Sequence, residues 1–146
     1  MQSLSRSDFK HWTTLDVRWS ELDPYGHVNN VAYCSYFEVA RTRYILDAID
    51  CDALLGNSMW HVMVHCSMNF YREVSFPAML DIGLRVQSVR AHSYTMQCGI
   101  FHRDADTLVA DGEGKLVTVN PSTKRPMAVP DNFRRACERI EQRSLS

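Results

Sequence analysis

From Thr13 to Ser20 apolar and polar residues alternate, with Leu15, Val17 and Trp19 on one side and Asp16, Arg18 and Ser20 on the other. A period of two marks a half-buried strand. Turn-forming residues follow in Glu21-Leu22-Asp23-Pro24-Tyr25-Gly26-His27, where Pro after Asp and Gly in the fourth place favour a type I turn. The period then changes. Ala32, Tyr33, Tyr36, Phe37, Ala40, Tyr44, Ile45 and Ala48 recur at helical spacing from about Asn30 to Ile49, interrupted by Glu38, Arg41 and Asp47. So broad an apolar face predicts a helix buried on more than one side. Asn29 or Asn30 can cap its N-terminus, and Gly56-Asn57 falls in the loop beyond.

Alternation returns afterwards. The even positions Val62, Val64, Cys66, Met68 and Phe70 share one face of a strand over His61–Tyr71, and Leu80, Ile82, Leu84 and Val86 do so over Met79–Val89. Tyr94, Met96, Cys98 and Ile100 mark a third strand over Ser93–Phe101. A fourth runs from about Thr107 to Val119, where Gly112 and Gly114 suggest a bulge or a close backbone approach. Short connections make these neighbours antiparallel hairpins. Asn120–Pro126 reads as a loop, and Pro130 as the first residue of a short C-terminal helix carrying Phe133, Ala136, Cys137 and Ile140 on one side. The order is α+β: one long helix against a five-stranded antiparallel sheet, in a single domain over residues 1–146. The far sheet face and the edges then need cover, which suggests pairing with another subunit.

Composition agrees with one globular domain, since 146 residues with 45% apolar side chains can build a core without metal or disulfide staples. Sixteen Lys plus Arg against seventeen Asp plus Glu exclude the basic excess of a general nucleic-acid binder. The five cysteines, Cys34, Cys51, Cys66, Cys98 and Cys137, form no C-x-x-C pair and are expected to be reduced, partly buried thiols. No apolar N-terminal leader and no run of 18 apolar residues occurs, so a soluble cytoplasmic protein without a membrane span is expected.

The informative stretch is Asp23-Pro24-Tyr25-Gly26-His27-Val28-Asn29-Asn30. A carboxylate in a tight turn just ahead of a helix start lies near unpaired N–H groups and the positive end of the helix dipole. Such N–H groups can stabilise charge developing on a substrate carbonyl oxygen, while the carboxylate attacks the carbonyl or activates water. Asp23 closing an Asx-type turn accounts for the same residues equally well. His61 and His65 invite a metal reading, but on a strand that spacing separates their Cα atoms by about 13 Å, which argues against a metal. Cys34 sits inside the helical apolar pattern without a basic partner and is expected to be a buried structural thiol.

Val17-Arg18-Trp19-Ser20, followed by Asp23-Pro24-Tyr25-Gly26-His27-Val28-Asn29-Asn30 and by Tyr33 to Arg41 on the long helix, resembles the thioesterases of the 4-hydroxybenzoyl-coenzyme-A thioesterase type. Phe70-Tyr71-Arg72, Ser93-Tyr94-Thr95 and Gly112-x-Gly114 extend the resemblance over roughly residues 13–130. It implies a hotdog fold, in which the sheet wraps the central helix, subunits pair sheet to sheet and the site lies between subunits. It further implies an acyl-coenzyme-A thioesterase, a homodimer or homotetramer with no metal or redox cofactor, coenzyme A being part of the substrate. Asp23 would then be nucleophile or general base, the Asn30 N–H the oxyanion donor, and His27 a polar neighbour that polarises the thioester or holds Asp23. Among the loop cations Arg72, Arg90, Arg103, Lys124 and Arg125, the resemblance favours Arg90 with Ser93 for binding coenzyme A. A thioesterase acting on acyl carrier protein, or a non-catalytic module binding an acyl thioester or a protein partner, would carry the same fold.

Overall fold

A computed structural model describes residues 3–48 and 58–145. Strands β1 (His11–Asp16), β2 (Trp60–Phe70), β3 (Met79–Val89), β4 (Ser93–His102) and β5 (Thr107–Val119) form one sheet in the order β1-β3-β4-β5-β2, antiparallel throughout. Helix α1 (Asn30–Ala48) packs against β1, β3 and β4, and α2 (Asp131–Glu141) closes one end of the core. The predicted α+β order and the short C-terminal helix are therefore observed. Pro130 is the N-cap of α2 rather than its first helical residue. Residues 49–57, including the Gly56-Asn57 loop, lie outside the described part.

The core forms where the predicted periods put it. Tyr36, Phe37, Ala40 and Tyr44 of α1 bury against Leu80, Ile82 and Leu84 of β3 and Tyr94, Met96 and Cys98 of β4. Gly114 reflects a close approach and not a bulge: a Cβ there would stand 3.2 Å from the Phe37 ring, while the strand pairing runs through it unbroken. α2 brings Phe133 onto Tyr94 at 5.0 Å and onto His61 at 5.4 Å between ring centroids. It also buries Glu141, whose Oε2 accepts the Tyr44 O–H at 2.7 Å and the Val86 N–H at 3.1 Å.

Four expectations need correction. β1 ends at Asp16 and the chain then enters a short 3-10 turn over Trp19–Glu21, so Val17 is buried but Trp19 is 73% exposed and rests edge-on against Phe76. In β2 the pairing with β5 slips between Met63 and His65, leaving Val64 as an extra residue. This bulge inverts the alternation: His61 and Met63 lie opposite the buried Thr118 and Leu116, while Val62 and Val64 are exposed. Cys34 is exposed, because its position on α1 falls outside the buried stripe. Finally, part of the far sheet face is covered by the chain itself. Phe9 lies so close over the sheet that a Cβ on Gly83 or Gly99 would come within 2.8 Å of its ring. Arg6 stacks on Trp12 and Phe101 and pairs with Asp81 at 3.0 Å.

Among the described residues β2 is an open edge of the sheet. All eleven of its residues are at least partly exposed, and none is Asp, Glu, Lys or Arg. Natural sheets usually protect such an edge with charge, proline or a covering element.

Candidate active site

Asp23, Pro24, Tyr25 and Gly26 form the turn that Pro and Gly predict. The Gly26 N–H donates to the Asp23 carbonyl at 3.1 Å, and Gly26 adopts φ +84°, a conformation that suits glycine. The Asp23 N–H donates in turn to the His27 carbonyl at 2.7 Å. One carboxylate oxygen, Oδ1, accepts the Tyr25 N–H at 2.9 Å and the His27 N–H at 3.1 Å. The Asx turn thus exists, and it consumes only Oδ1. Among the described residues Oδ2 receives no hydrogen bond.

The turn is pinned on both sides. Val28 donates its N–H to the Val74 carbonyl at 2.9 Å, and His27 pairs with Ser75 as an isolated bridge. Asn29 donates its N–H to the Glu21 carbonyl at 2.8 Å, and its side chain caps α1 by accepting the Val31 N–H at 3.0 Å. The Ala32 N–H is taken by the Asn29 carbonyl at 2.9 Å. The Asn30 N–H is the remaining donor at the helix start, with no acceptor among the described residues. Asn29, not Asn30, is therefore the cap, and capping leaves the Asn30 N–H at the positive end of the helix.

Asp23, His27 and Asn30 line one cleft of about 430 Å³ together with Tyr33, Phe70 and Arg72. Tyr33 packs on Phe70 at 5.3 Å, and burial pushes its phenol up to about 12, so it stays neutral near pH 7. The His27 Nε2 stands 3.3 Å from the Glu73 carboxylate. Glu73 was not foreseen from the sequence, since an acid after a strand end carries no signal of its own. Tyr71 and Arg72 also line a second groove of about 680 Å³, which they share with Asn69 and Asp111.

Arg90 and Ser93 do not join this cleft within one chain. The Arg90 N–H donates to the Ser93 carbonyl at 2.7 Å and closes the turn between β3 and β4. Asp23 lies beyond the other end of these strands, and the eleven residues of β3 span about 33 Å. His61 and His65 are separated by the β2 bulge, and the His61 Nδ1 is hydrogen-bonded to the Tyr94 hydroxyl at 2.7 Å. Among the described residues no three His, Cys, Asp or Glu side chains converge as metal ligands would.

Comparison with known proteins agrees with this geometry. The family model of the thioesterase-like superfamily matches residues 17–137. The long-chain acyl-CoA thioesterase FadM of Escherichia coli is 25% identical over 130 residues, which cover 89% of this chain and 96% of that protein. A Thermus thermophilus thioesterase, solved with coenzyme A and Zn, superposes with a TM-score of 0.83 at 28% identity, over 94% of this chain and 98% of the other. The PA5185 protein of Pseudomonas aeruginosa gives a TM-score of 0.84 at 28% identity, covering 93% and 94%. The sheet order, the long helix and the short C-terminal helix are those of hotdog thioesterase structures. With the family model spanning both the Asp23 turn and the helix start, the chain belongs to the thioesterase-like superfamily.

Proposed function

We infer that this protein hydrolyses acyl-coenzyme-A thioesters to a free acid and coenzyme A at the cleft between the Asp23 turn and the start of α1. One observation carries the reading: a carboxylate whose Oδ2 and a helix N-terminus whose Asn30 N–H have no partner among the described residues line the same cleft. The thioester carbonyl oxygen accepts the Asn30 N–H, and the positive end of α1 stabilises the charge that develops there. Asp23 either takes a proton from the water that adds to the carbonyl or adds through Oδ2 itself, in which case the acyl–Asp23 anhydride left after loss of the thiolate is hydrolysed by water to the free acid and the Asp23 carboxylate. The tetrahedral intermediate collapses by breaking the carbon–sulfur bond, and coenzyme A leaves as the thiolate. His27, tethered to Glu73, is assigned to give that thiolate its proton. The Tyr33–Phe70 wall supports the apolar part of the acyl group beside the reacting carbon.

The names of the relatives support coenzyme A as the thiol carrier, since FadM is an acyl-CoA thioesterase and the Thermus protein was solved with coenzyme A. We place the reaction in the cytoplasm, a reading supported by free, exposed thiols at Cys34 and Cys66. No helix among the described residues is long and apolar enough to cross a membrane. We also assign a homodimer, or a tetramer of two such dimers, with the uncharged β2 edge as the first contact. Phe9 and Arg6 already occupy part of the far face, whereas all eleven residues of the β2 edge are at least partly exposed. Arg90 and Ser93, if they touch coenzyme A, do so from the second copy.

The test is a hydrolysis screen of the purified protein against short, long, branched and aromatic acyl-coenzyme-A thioesters, with matched acyl-carrier-protein thioesters alongside. Release of free thiol from the coenzyme A series is expected. Turnover confined to the carrier-protein series would change the carrier, and binding without turnover would identify a non-catalytic module.

A further inference from the structure

We propose that Glu21 and Tyr36 are positioning residues for the hydrolysis: their hydrogen bond braces the Asp23 turn against α1 and so sets where the Asp23 carboxylate stands relative to the Asn30 N–H. The inference deepens the thioesterase reading above and rests on it.

Glu21 ends the 3-10 turn, two residues before Asp23, and it holds α1 at two levels. Its carbonyl accepts the Asn29 N–H at 2.8 Å, and its Oε1 accepts the Tyr36 O–H at 2.9 Å. Residues 29 and 36 lie about 10 Å apart along a helix axis. The Asn29 contact alone leaves a hinge one residue from the oxyanion donor. The Tyr36 contact removes the swing.

Both ends of the brace are fixed before they meet. The Glu21 N–H donates to the Arg18 carbonyl at 2.9 Å, and the Arg18 N–H donates back to Glu21 Oε1 at 2.7 Å. Tyr36 is 3% exposed, and burial, with the bond to Glu21 added, pushes its phenol well above the ordinary value, so it remains a donor near neutral pH. Its ring lies 5.7 Å from that of Tyr33, which forms the cleft wall with Phe70. Phenylalanine would fill the same space with no hydroxyl to satisfy, so packing alone does not call for tyrosine here.

The remaining tethers of the turn lead elsewhere. Val28 and His27 tie it to Val74 and Ser75, in the connection between β2 and β3. Those contacts fix the turn against the sheet and leave its angle to α1 open. Among the described residues, every hydrogen bond between residues 17–22 and residues 29–48 runs through Glu21. A displacement of about 1 Å between reacting groups can cost 10²-fold in rate, so the angle matters to the chemistry.

The experiment is a double-mutant cycle, with kcat and KM measured on an acyl-coenzyme-A that the wild type hydrolyses. Tyr36→Phe keeps the ring and removes only the hydroxyl. It should lower kcat about 10-fold and change KM less than about two-fold, because the bond touches no substrate. Glu21→Gln still offers an oxygen to the Tyr36 O–H and the Arg18 N–H, and should stay within about two-fold of the wild-type kcat. Glu21→Ala should lose at least as much as Tyr36→Phe, and the double variant Glu21→Ala/Tyr36→Phe no more than Glu21→Ala alone. Losses that multiply in the double variant would overturn the proposal. So would a Glu21→Gln loss equal to that of Glu21→Ala, or a Tyr36→Phe variant that melts lower with kcat intact.

Amide hydrogen exchange supplies a readout that needs no turnover and no Glu21→Ala protein, should that variant fail to fold. Tyr36→Phe should speed exchange of the Asn29 N–H about 10-fold and affect the Val86 N–H, held by Glu141, far less. Unchanged exchange at Asn29 would overturn the brace, and equal acceleration at both amides would reduce it to a global loss of stability and overturn it too. A wild type that turns over no thioester would instead overturn the thioesterase reading, so the two failures are distinguishable.

Discussion

His61 links the β2 bulge to acid stability. Burial against Phe133 and Tyr94 pushes its imidazole down to about 4 from an ordinary value near 6.5, and its Nε2 has no hydrogen-bond partner among the described residues. Between those two values the unfolded chain binds a proton that the folded chain refuses. Stability therefore falls as pH drops from about 6.5 to about 4, and this group costs nothing above that window. Holding the imidazole at about 4 rather than near 6.5 corresponds to about 3 kcal/mol at the acid end, a large part of the 5–15 kcal/mol that holds a domain of this kind together. Carboxylates also titrate there, so the decisive quantity is the difference between wild type and His61→Gln. Urea denaturation at half-unit steps from pH 4 to 8 measures it. The variant is expected to lose some packing at every pH, as a constant offset, while its stability declines by about 3 kcal/mol less than wild type on acidification. Parallel curves for the two proteins below pH 6.5 would refute the reasoning and return His61 to solvent.

Two further substitutions test the packing. Glu141→Ala removes the acceptor of two buried donors, the Tyr44 O–H and the Val86 N–H, and should cost about 2–4 kcal/mol in chemical denaturation. Glu141→Gln keeps a carbonyl acceptor and should cost clearly less, so equal losses would argue against the hydrogen bonds. Gly83→Ala places a methyl group 2.5 Å from the Phe9 ring and should cost about 1–3 kcal/mol while lifting the N-terminal segment off the sheet. Faster tryptic cleavage at Lys10 is the expected sign, and unchanged cleavage with unchanged stability would contradict it.

Most of the fold was legible because its elements obey simple periods. The even positions of β3 and the apolar stripe of α1 face the core, so their periods marked both elements, although α1 buries one stripe rather than more than one side as its broad apolar face suggested. β2 was legible as a strand but not in its facing. A single extra residue at Val64 reverses the pattern, and His61 is turned inward where Val62 was expected. Nothing in the local composition marks a bulge that is specified by pairing with β5. Trp19 misled for a related reason: it continues an apolar alternation although the backbone has already left the sheet at Asp16. Glu141 and Phe9 were invisible because each is buried by contacts made across the fold, with the Val86 backbone and with Gly83.

The candidate site was legible in its turn and its helix start, since Asp-Pro-x-Gly and the Asn pair impose local hydrogen bonding that distant contacts barely alter. Its other wall was not. Phe70, Arg72 and Glu73 stand at and just beyond the end of β2, almost fifty residues later, and the pairing of Val28 with Val74 and of His27 with Ser75 holds them beside Asp23. The nucleotide contacts were the least legible part. Arg90 lies about 33 Å along β3 from the cleft end within a chain, a separation that one-dimensional spacing does not reveal.

The central claim, that Asp23 does chemistry rather than only shaping a turn, is tested most directly by kcat and thermal stability measured on one preparation of Asp23→Asn. The amide oxygen can still accept the Tyr25 and His27 N–H groups, so the turn should survive with a loss of no more than about 1 kcal/mol. The negative charge and the basic Oδ2 are gone, so kcat for acyl-coenzyme-A hydrolysis should fall by roughly 10²–10⁴-fold. A folded variant that keeps more than about a third of the wild-type kcat, far above that range, would contradict the account.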